Sequence, residues 1–183
     1  MIQAKIEINQ EELSVLREIT MASPVNVKKR KRSRIIFASM AIVMAIYTIV
    51  HFLNHSSGNS LLALTLTVFF TWAATSGVVF YQNFLIKKQQ NKANDKLKSG
   101  GREYNFDIDG VTILSEIGWG LNKWEAFKCW GIFKEYVYLK RIDNQMLLVK
   151  RTDLPKEDYE ALLSLLNTNL VQENLTVKKG TGL

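Results

Sequence analysis

Two apolar segments of membrane-spanning length constrain this chain more than any other feature of its sequence. Residues 35–53 and 61–86 contain no Asp, Glu, Lys or Arg, and the short linker between them carries no formal charge at neutral pH. At about 1.5 Å of rise per helical residue, each segment crosses most of a hydrocarbon layer roughly 30 Å thick. We therefore predict a membrane α-helical hairpin over 28–88, with helices at 35–53 and 61–86.

Basic residues flank this predicted hairpin at both of its outer ends. Lys87 and Lys88 close the second apolar segment. The run before the first segment contains Lys28, Lys29, Arg30, Lys31, Arg32 and Arg34. Because Lys and Arg are retained on the cytoplasmic side of a membrane, we predict a two-pass protein with both termini in the cytoplasm. The flanking side chains are expected to contact anionic headgroups of the lipid bilayer.

The net charge of +7 has the same origin. Residues 28–34 carry +6 and residues 87–102 carry +5, whereas residues 103–176 carry −4. A nucleic-acid-binding protein needs its basic residues on a folded face, so we expect no nucleic acid among the partners. Cys129 is the only cysteine, which rules out an intrachain disulfide and agrees with a reducing compartment.

Small residues recur along one face of each predicted span. They are Ala38, Ala41, Ala45 and Thr48 in the first span, and Ala63, Thr67, Thr71 and Ala74 or Thr75 in the second. Small side chains let two helices approach closely within lipid. We interpret both stripes as a helix-packing interface and not as a proton or ion pathway, because neither span contains an acidic or basic side chain.

The first 27 residues predict a strand followed by a short helix. Apolar and polar residues alternate from Ile2 to Asn9, which is the period of a half-buried strand. Asn9 and Glu12 have the spacing of a helix-capping box, and the helix is expected to end before Pro24. We expect this segment to dock on the soluble domain, and the alternative is a frayed tail.

The residues after the hairpin predict a basic linker over 89–102 and a soluble α+β domain over 103–172. Asp109-Gly110 has the composition of a two-residue hairpin turn, and Gly118-Trp119-Gly120 is interpreted as another turn between short antiparallel strands. A leucine-rich helix is expected to begin near Pro155. Residues 173–183 are expected to form a flexible tail.

This arrangement resembles the YcxB-like family of bacterial membrane proteins over nearly the whole chain. The similar features are an N-terminal strand and helix, a basic run that enters two spans, and a later domain that carries several short motifs. Those motifs are Asp109-Gly110-Val111, Leu121-Asn122-Lys123-Trp124, Val137-Tyr138-Leu139 and a Leu-Pro segment followed by Lys156 and a leucine-rich helix. Its rich aromatic content is a departure from the family pattern.

The resemblance implies both a fold and a location. The soluble domain is expected to be like a bacterial pleckstrin-homology (PH) module, a bent antiparallel sheet closed by one C-terminal helix. The membrane is expected to be a bacterial plasma (inner) membrane. The family brings no established activity to this chain.

Residue types that carry chemistry are sparse. His51 and His55 have helical i, i+4 spacing, but no third metal ligand lies near them in the sequence. Asp107 and Asp109 precede apolar strand residues, which favours a hairpin turn over a calcium loop. Cys129 has no plausible histidine partner that would activate it as a nucleophile. From these three observations together, we expect no catalytic residue, no bound metal and no cofactor.

Binding is therefore the function that the sequence favours. Trp119 is the aromatic residue most expected to be exposed, and we predict that Trp119 and Lys123 contact a protein partner. The alternative is a sensor of anionic lipid or of the membrane surface, and an enzyme is a more distant third. A homo-oligomer is compatible with either form of binding.

Overall fold

The computed structural model describes residues 1–6, 9–54, 57–97, 101–115, 118–143 and 145–175. For residues 57 and 91–97 it describes the backbone and not the side chains. The described residues divide into two compact units. The helical unit comprises Ser23–Gln89, and the α+β unit comprises Met1–Ala22 together with Gln90–Leu183. The helical unit is therefore inserted within the sequence of the α+β unit.

The helical unit is a pair of long helices. The first is α2 (Pro24–Leu53). The second consists of α3 (Ser57–Trp72), a π-helical turn at Ala73–Gly77, and α4 (Val78–Leu97). Two stretches, Pro24–Leu53 and Gly58–Gln90, are long and apolar enough to cross a membrane. Both helices exceed the predicted spans, because the basic run lies inside α2 and the expected linker is helical as far as Leu97.

Contacts between α2 and α3 combine small and aromatic side chains. Ala63 is fully buried, and the rings of Phe37 and Phe70 stack with their centroids 6.3 Å apart. The threonine hydroxyls of the predicted small-residue stripes form hydrogen bonds within their own helices, where each donates to the carbonyl oxygen four residues earlier. These hydroxyls belong to Thr48, Thr67, Thr71 and Thr75.

The first sheet contains four antiparallel strands in the order β1-β2-β3-β4. The strands are β1 (Ile2–Ile6), β2 (Arg102–Asp107), β3 (Gly110–Ser115) and β4 (Gly118–Lys123). The N-terminal strand pairs with β2, where Ala4 lies opposite Tyr104. One face of β1 contributes Ile2, Ala4 and Ile6 to the core.

Two turns differ from their predicted positions. The β2–β3 turn is at Ile108–Asp109, one residue earlier than expected, and the next residue, Gly110, has φ = 146° and pairs with Asp107. Gly118-Trp119-Gly120 is part of β4 and not a turn, so that interpretation was wrong. Strand β4 ends at Lys123, and a 3₁₀ turn follows at Trp124–Ala126.

The second sheet contains β5 (Phe127–Phe133), β6 (Tyr136–Arg141) and β7 (Met146–Lys150), in that order. Helix α5 (Lys156–Asn169) follows a 3₁₀ turn at Arg151–Asp153. The main core joins side chains of both sheets to Leu162 and Leu166 of α5. The described residues thus form two antiparallel sheets, of four and three strands, in an α+β layout.

Helix α1 (Gln10–Ala22) covers the face of the second sheet that points away from the main core. Val15 and Ile19 of α1 pack there against a group of buried residues. That group comprises Phe133, Tyr136, Tyr138 and Leu148. The predicted capping box is confirmed, since Asn9 Oδ1 accepts from the Glu12 N–H and Glu12 Oε2 accepts from the Asn9 N–H. Because α1 covers this second face, β6 is buried on both sides.

The C-terminal segment lies along β5 after α5 ends. The Trp130 N–H donates to the Val171 carbonyl at 3.1 Å, and the Glu173 N–H donates to the Trp130 carbonyl at 2.6 Å. Gln172 forms a parallel bridge with Trp130. The expectation of a free tail from residue 173 was therefore wrong for Glu173. Residues 176–183 lie outside the described part of the chain.

Candidate binding surface

The outer face of the first sheet carries large apolar side chains on its last two strands. Because successive side chains alternate between faces, Trp119, Leu121 and Lys123 share one face of β4. Trp119 lies opposite Leu114 of β3, and Leu121 lies opposite Thr112. Trp119 is 77% exposed, Leu121 47% and Leu114 37%. We call Leu114, Trp119 and Leu121 the β4 patch.

The other face of β4 carries almost no side-chain cover. It presents Gly118, Gly120 and the half-buried Asn122, and a Cβ atom added at either glycine would meet no heavy atom of the described residues within 4 Å. The row Ala4, Tyr104 and Ile113 is buried or half-buried, but it ends at Gly120. Along this row the core therefore stops before β4, and that strand is accessible from both faces at Gly118 and Gly120.

The backbone of β4 is accessible as well, because β4 is the last strand of its sheet. Residues of an antiparallel strand point their N–H and C=O groups alternately toward one neighbour and the other. The pair that closes a two-residue hairpin is hydrogen-bonded, and here that pair is Asp107 and Gly110. Because the bonding direction alternates along β3, the N–H and C=O groups of Ile113 point toward Gly120 of β4. The N–H and C=O groups of Trp119 and Leu121 consequently point to the free edge.

A cleft of about 340 Å³ lies beside the β4 patch at the same end of the sheet. Its lining residues include Lys5, Arg102, Glu103 and Leu114. Glu103 accepts a hydrogen bond from the Gln3 amide. The register places Lys5, Glu103, Leu114 and Trp119 in one row across the four strands. The surface thus changes from charged on β1 and β2 to apolar on β3 and β4.

The predicted membrane-contact residues lie on the helical unit. Most of them are exposed, namely Lys28, Lys29, Lys31, Arg32, Arg34, Lys87 and Lys88. Arg30 is half-buried, and its Nη1 donates to Gln82 Oε1 at 3.1 Å. Arg34 Nη2 donates to the Thr75 carbonyl in the π-helical turn at 3.0 Å. Two residues of the basic run therefore also link α2 to the second helix, a role that charge patterning did not indicate.

The two residues predicted to contact a partner lie on the same face of β4. Trp119 has the exposure that was expected of it, and Lys123 is exposed four residues later. Sequence reasoning missed Leu114 and Leu121. The available signal was the alternation of glycines with Trp119 and Leu121 over residues 118–121, which has the period of a strand.

A second polar cluster surrounds the cysteine. The Cys129 thiol lies 3.6 Å from Glu173 Oε2, to which the Tyr138 hydroxyl also donates at 3.2 Å. Burial and the neighbouring Glu173 carboxylate raise the pKa of the Cys129 thiol, and the same two causes raise the pKa of Tyr138. A raised thiol pKa disfavours the nucleophilic thiolate. The cluster therefore joins the C-terminal segment to the second sheet and lacks the features of an activated nucleophile.

Metal-ligating side chains are not grouped in the described ranges. No three His, Cys, Asp or Glu residues lie close enough together there to hold one ion. His51 lies in the last turn of α2, and His55 is outside the described residues. Asp107 closes the β2–β3 hairpin, where Asp107 Oδ1 accepts from the Ile108 N–H. These observations favour the turn interpretation of Asp107 and Asp109.

Polar contacts hold α1 against the second sheet and involve several of its charged residues. Lys134 Nζ lies 2.6 Å from Glu18, and Lys150 Nζ lies 3.6 Å from Glu11. The Tyr136 hydroxyl donates to Glu11 at 3.2 Å. These groups are therefore engaged within the α+β unit, in contrast to the β4 patch.

Comparisons with family models, curated proteins and solved structures find no match to this chain.

Proposed function

We propose that this chain is a non-enzymatic, membrane-anchored binding protein that presents a PH-like domain to a protein partner. The partner surface is the β4 patch with Lys123 at its end. The single observation that carries the proposal is the exposure of three large apolar side chains in adjacent positions on one sheet face. Contiguous exposed apolar side chains on a folded domain are typical of interaction surfaces.

The PH-like assignment and the YcxB-like relationship belong to the same proposal. They are supported by antiparallel sheets of four and three strands followed by one C-terminal helix. Insertion of the helical unit between β1 and β2 also agrees with the order of elements in the resemblance. The anchor is supported by the two apolar helices. We assign both termini to the cytoplasmic side of a bacterial plasma membrane, on the basis of the basic flanks.

Site-specific photo-crosslinking in native membranes tests the partner surface. A benzophenone amino acid at position 119 is expected to give a protein adduct. The matched control is position 160, because Glu160 is exposed on α5, away from the β4 strand. Absence of an adduct at 119, or equal adducts at both positions, would contradict the proposal.

Anionic lipid is a second candidate ligand for the same surface. The specific observation in its favour is the pair of basic residues on the same sheet face as the β4 patch, Lys5 in the cleft and Lys123 at the end of β4. An aromatic side chain beside basic groups suits the interface between headgroups and acyl chains.

Full-length protein in nanodiscs distinguishes the two ligands. A polarity-sensitive dye attached to Trp119→Cys, in a Cys129→Ser background, reports whether the β4 patch enters the lipid interface. A blue shift with phosphatidylglycerol that is absent with phosphatidylcholine and is lost in high salt favours lipid. An unchanged spectrum leaves the protein partner as the better assignment.

A further inference from the structure

The free edge of β4 has the properties of an unfinished sheet. The backbone N–H and C=O groups of Trp119 and Leu121 point away from β3, as the register requires. Exposed edges are usually blunted by Pro, by bulges or by inward-pointing charges, because they otherwise recruit another strand. Within Gly118–Lys123 the only charged residue is Lys123, at the end, and there is no proline.

We propose that β4 pairs in an antiparallel manner with β4 of a second copy of this chain, across a twofold axis at Gly120. This inference rests on the proposed function, because it names the protein partner of the same surface. In this register Trp119 lies opposite Leu121 of the second copy, and Leu121 lies opposite its Trp119. Each of these pairs exchanges two N–H···O=C bonds, since both residues point their backbone groups to the edge.

The strand is self-complementary in this register. A twofold axis makes every contact occur twice, so a suitable strand must match its own reversed sequence. The large Trp119 faces the smaller Leu121 on both sides of the axis, as cross-strand pairs of aromatic and aliphatic residues favour. Gly120 faces Gly120 in a non-hydrogen-bonded pair, for which the Cα atoms approach to about 4.5 Å. No charged side chain faces another within this central region.

Two of the other strand edges, those of β1 and β5, fit a second copy less well. The β1 edge carries the exposed Lys5, and β5 is covered by residues of its own chain, Val171–Glu173. The proposed membrane anchor would also hold every copy in one plane, with the α+β units of all copies on the same side of the membrane. Such confinement raises the effective concentration of one β4 strand near another.

Disulfide crosslinking in membranes tests the register directly. Gly120→Cys places a thiol at the axis, and the added Cβ meets no atom of the described part of the chain within 4 Å. The experiment uses the full-length protein in a Cys129→Ser background, with a parallel series that retains the buried Cys129 in case the serine disturbs folding. Mild oxidation is expected to convert Gly120→Cys into a covalent dimer, since cross-strand Cα distances below about 7 Å permit a disulfide.

Asn122→Cys is the matched control in the same strand. In the proposed register, the two copies of residue 122 are separated by about four residues along the strands, roughly 13 Å, which is too far for a disulfide. The proposal is overturned if Gly120→Cys stays monomeric or if Asn122→Cys crosslinks to the same extent.

Charge substitution supplies an independent readout of the same pairing. Trp119→Lys combined with Leu121→Lys is expected to abolish the Gly120→Cys crosslink, because like charges then face each other across the axis. Trp119→Lys combined with Leu121→Glu is expected to retain it, since each introduced lysine faces an introduced glutamate. Equal loss in both double variants, with both still folded by circular dichroism, would contradict the register.

The photo-crosslinking experiment at position 119 separates the two proposals. An adduct of two copies agrees with both of them. An adduct with a different protein, together with no Gly120→Cys dimer, overturns the second-copy inference and retains the proposed function. Absence of any protein adduct and of the disulfide dimer overturns both.

Discussion

Strands β4 and β5 both lie at the edge of a sheet, but the outer sides of the two strands differ. Each pairs with one strand on one side. On the other side of β5 the chain returns after α5 and bonds to both backbone groups of Trp130. On the other side of β4 no strand of the described chain lies alongside. The comparison shows that one free edge is completed within the chain, and it leaves the other available for a partner.

The difference extends to the side chains. Trp130 of β5 is 1% exposed, whereas Trp119 of β4 is 77% exposed. A Cβ atom at Gly131 would lie 2.5 Å from the Tyr138 hydroxyl, whereas one at Gly120 would meet none of the described residues within 4 Å. The two strands therefore offer matched pairs of substitutions, one at a covered edge and one at an exposed edge.

Replacing the two tryptophans should give the largest contrast. Trp130→Ala is expected to lower the free energy of unfolding by about 3–5 kcal/mol, because it leaves a cavity in the main core. For the monomeric protein, Trp119→Ala should change it by no more than about 0.5 kcal/mol, since the side chain is largely in solvent in the single chain. Calorimetry of the detergent-solubilised full-length protein measures both. A loss at Trp119 as large as that at Trp130 would show that the β4 patch is structural.

The glycine pair should give a smaller contrast of opposite sign. Gly131→Ala is expected to destabilise the protein by about 1–3 kcal/mol, because the new methyl group meets the Tyr138 hydroxyl and the Glu173 carbonyl. Gly120→Ala should stabilise it by up to about 1 kcal/mol, since alanine loses less conformational entropy than glycine on folding. Thermal unfolding of the two variants in one detergent is the measurement. Equal destabilisation would mean that β4 is covered in the monomer.

The smallest expected effect concerns the reactivity of the Cys129 thiol on β5. Burial and the Glu173 carboxylate raise the pKa of Cys129, so at about pH 8 the thiolate is a minor species and alkylation is slow. Glu173→Ala should lower this pKa and loosen the covering segment. Iodoacetamide is therefore expected to react several-fold faster with the variant than with the parent protein.

The pH dependence and a control variant complete this test. The ratio of the two alkylation rates should be largest below the thiol pKa of the parent protein. It should shrink as the pH rises, because the thiolate then dominates in both proteins. Glu125→Ala, at an exposed carboxylate on the 3₁₀ turn, should leave the rate unchanged. A Glu173→Ala rate equal to that of the parent would show that Glu173 does not shield the thiol.

Local patterns predicted several elements of this fold. Alternation from Ile2 to Asn9 indicated a strand, which the structure has at Ile2–Ile6, and the Asn9 and Glu12 spacing indicated the capping box that the structure has. The apolar segments indicated helices of membrane-spanning length. These signals depend only on residues within a few positions of one another, so a single sequence carries them.

Local patterns misplaced features that depend on pairing. The glycines at 118 and 120 indicated a turn, yet pairing with β3 holds them in an extended strand. The polar residues after Gln172 indicated a free tail, yet Glu173 bonds to Trp130 and accepts from Tyr138. In both places, contacts with residues distant in the sequence overrode the local composition.

The sequence by itself determined the two apolar helices of membrane-spanning length, their basic flanks, the N-terminal strand and the Asn9–Glu12 capping box. It also indicated that Trp119 is exposed, although Trp119 lies in a strand and not at the expected turn. Only the tertiary structure decided that β1 completes the first sheet, that α1 covers the second, and that β4 keeps a free edge beside Leu114 and Leu121. The physical reason is the range of the interactions. Periodicity reports which face of an element is buried, whereas strand partners and strand edges are chosen by backbone hydrogen bonds between segments far apart in the chain.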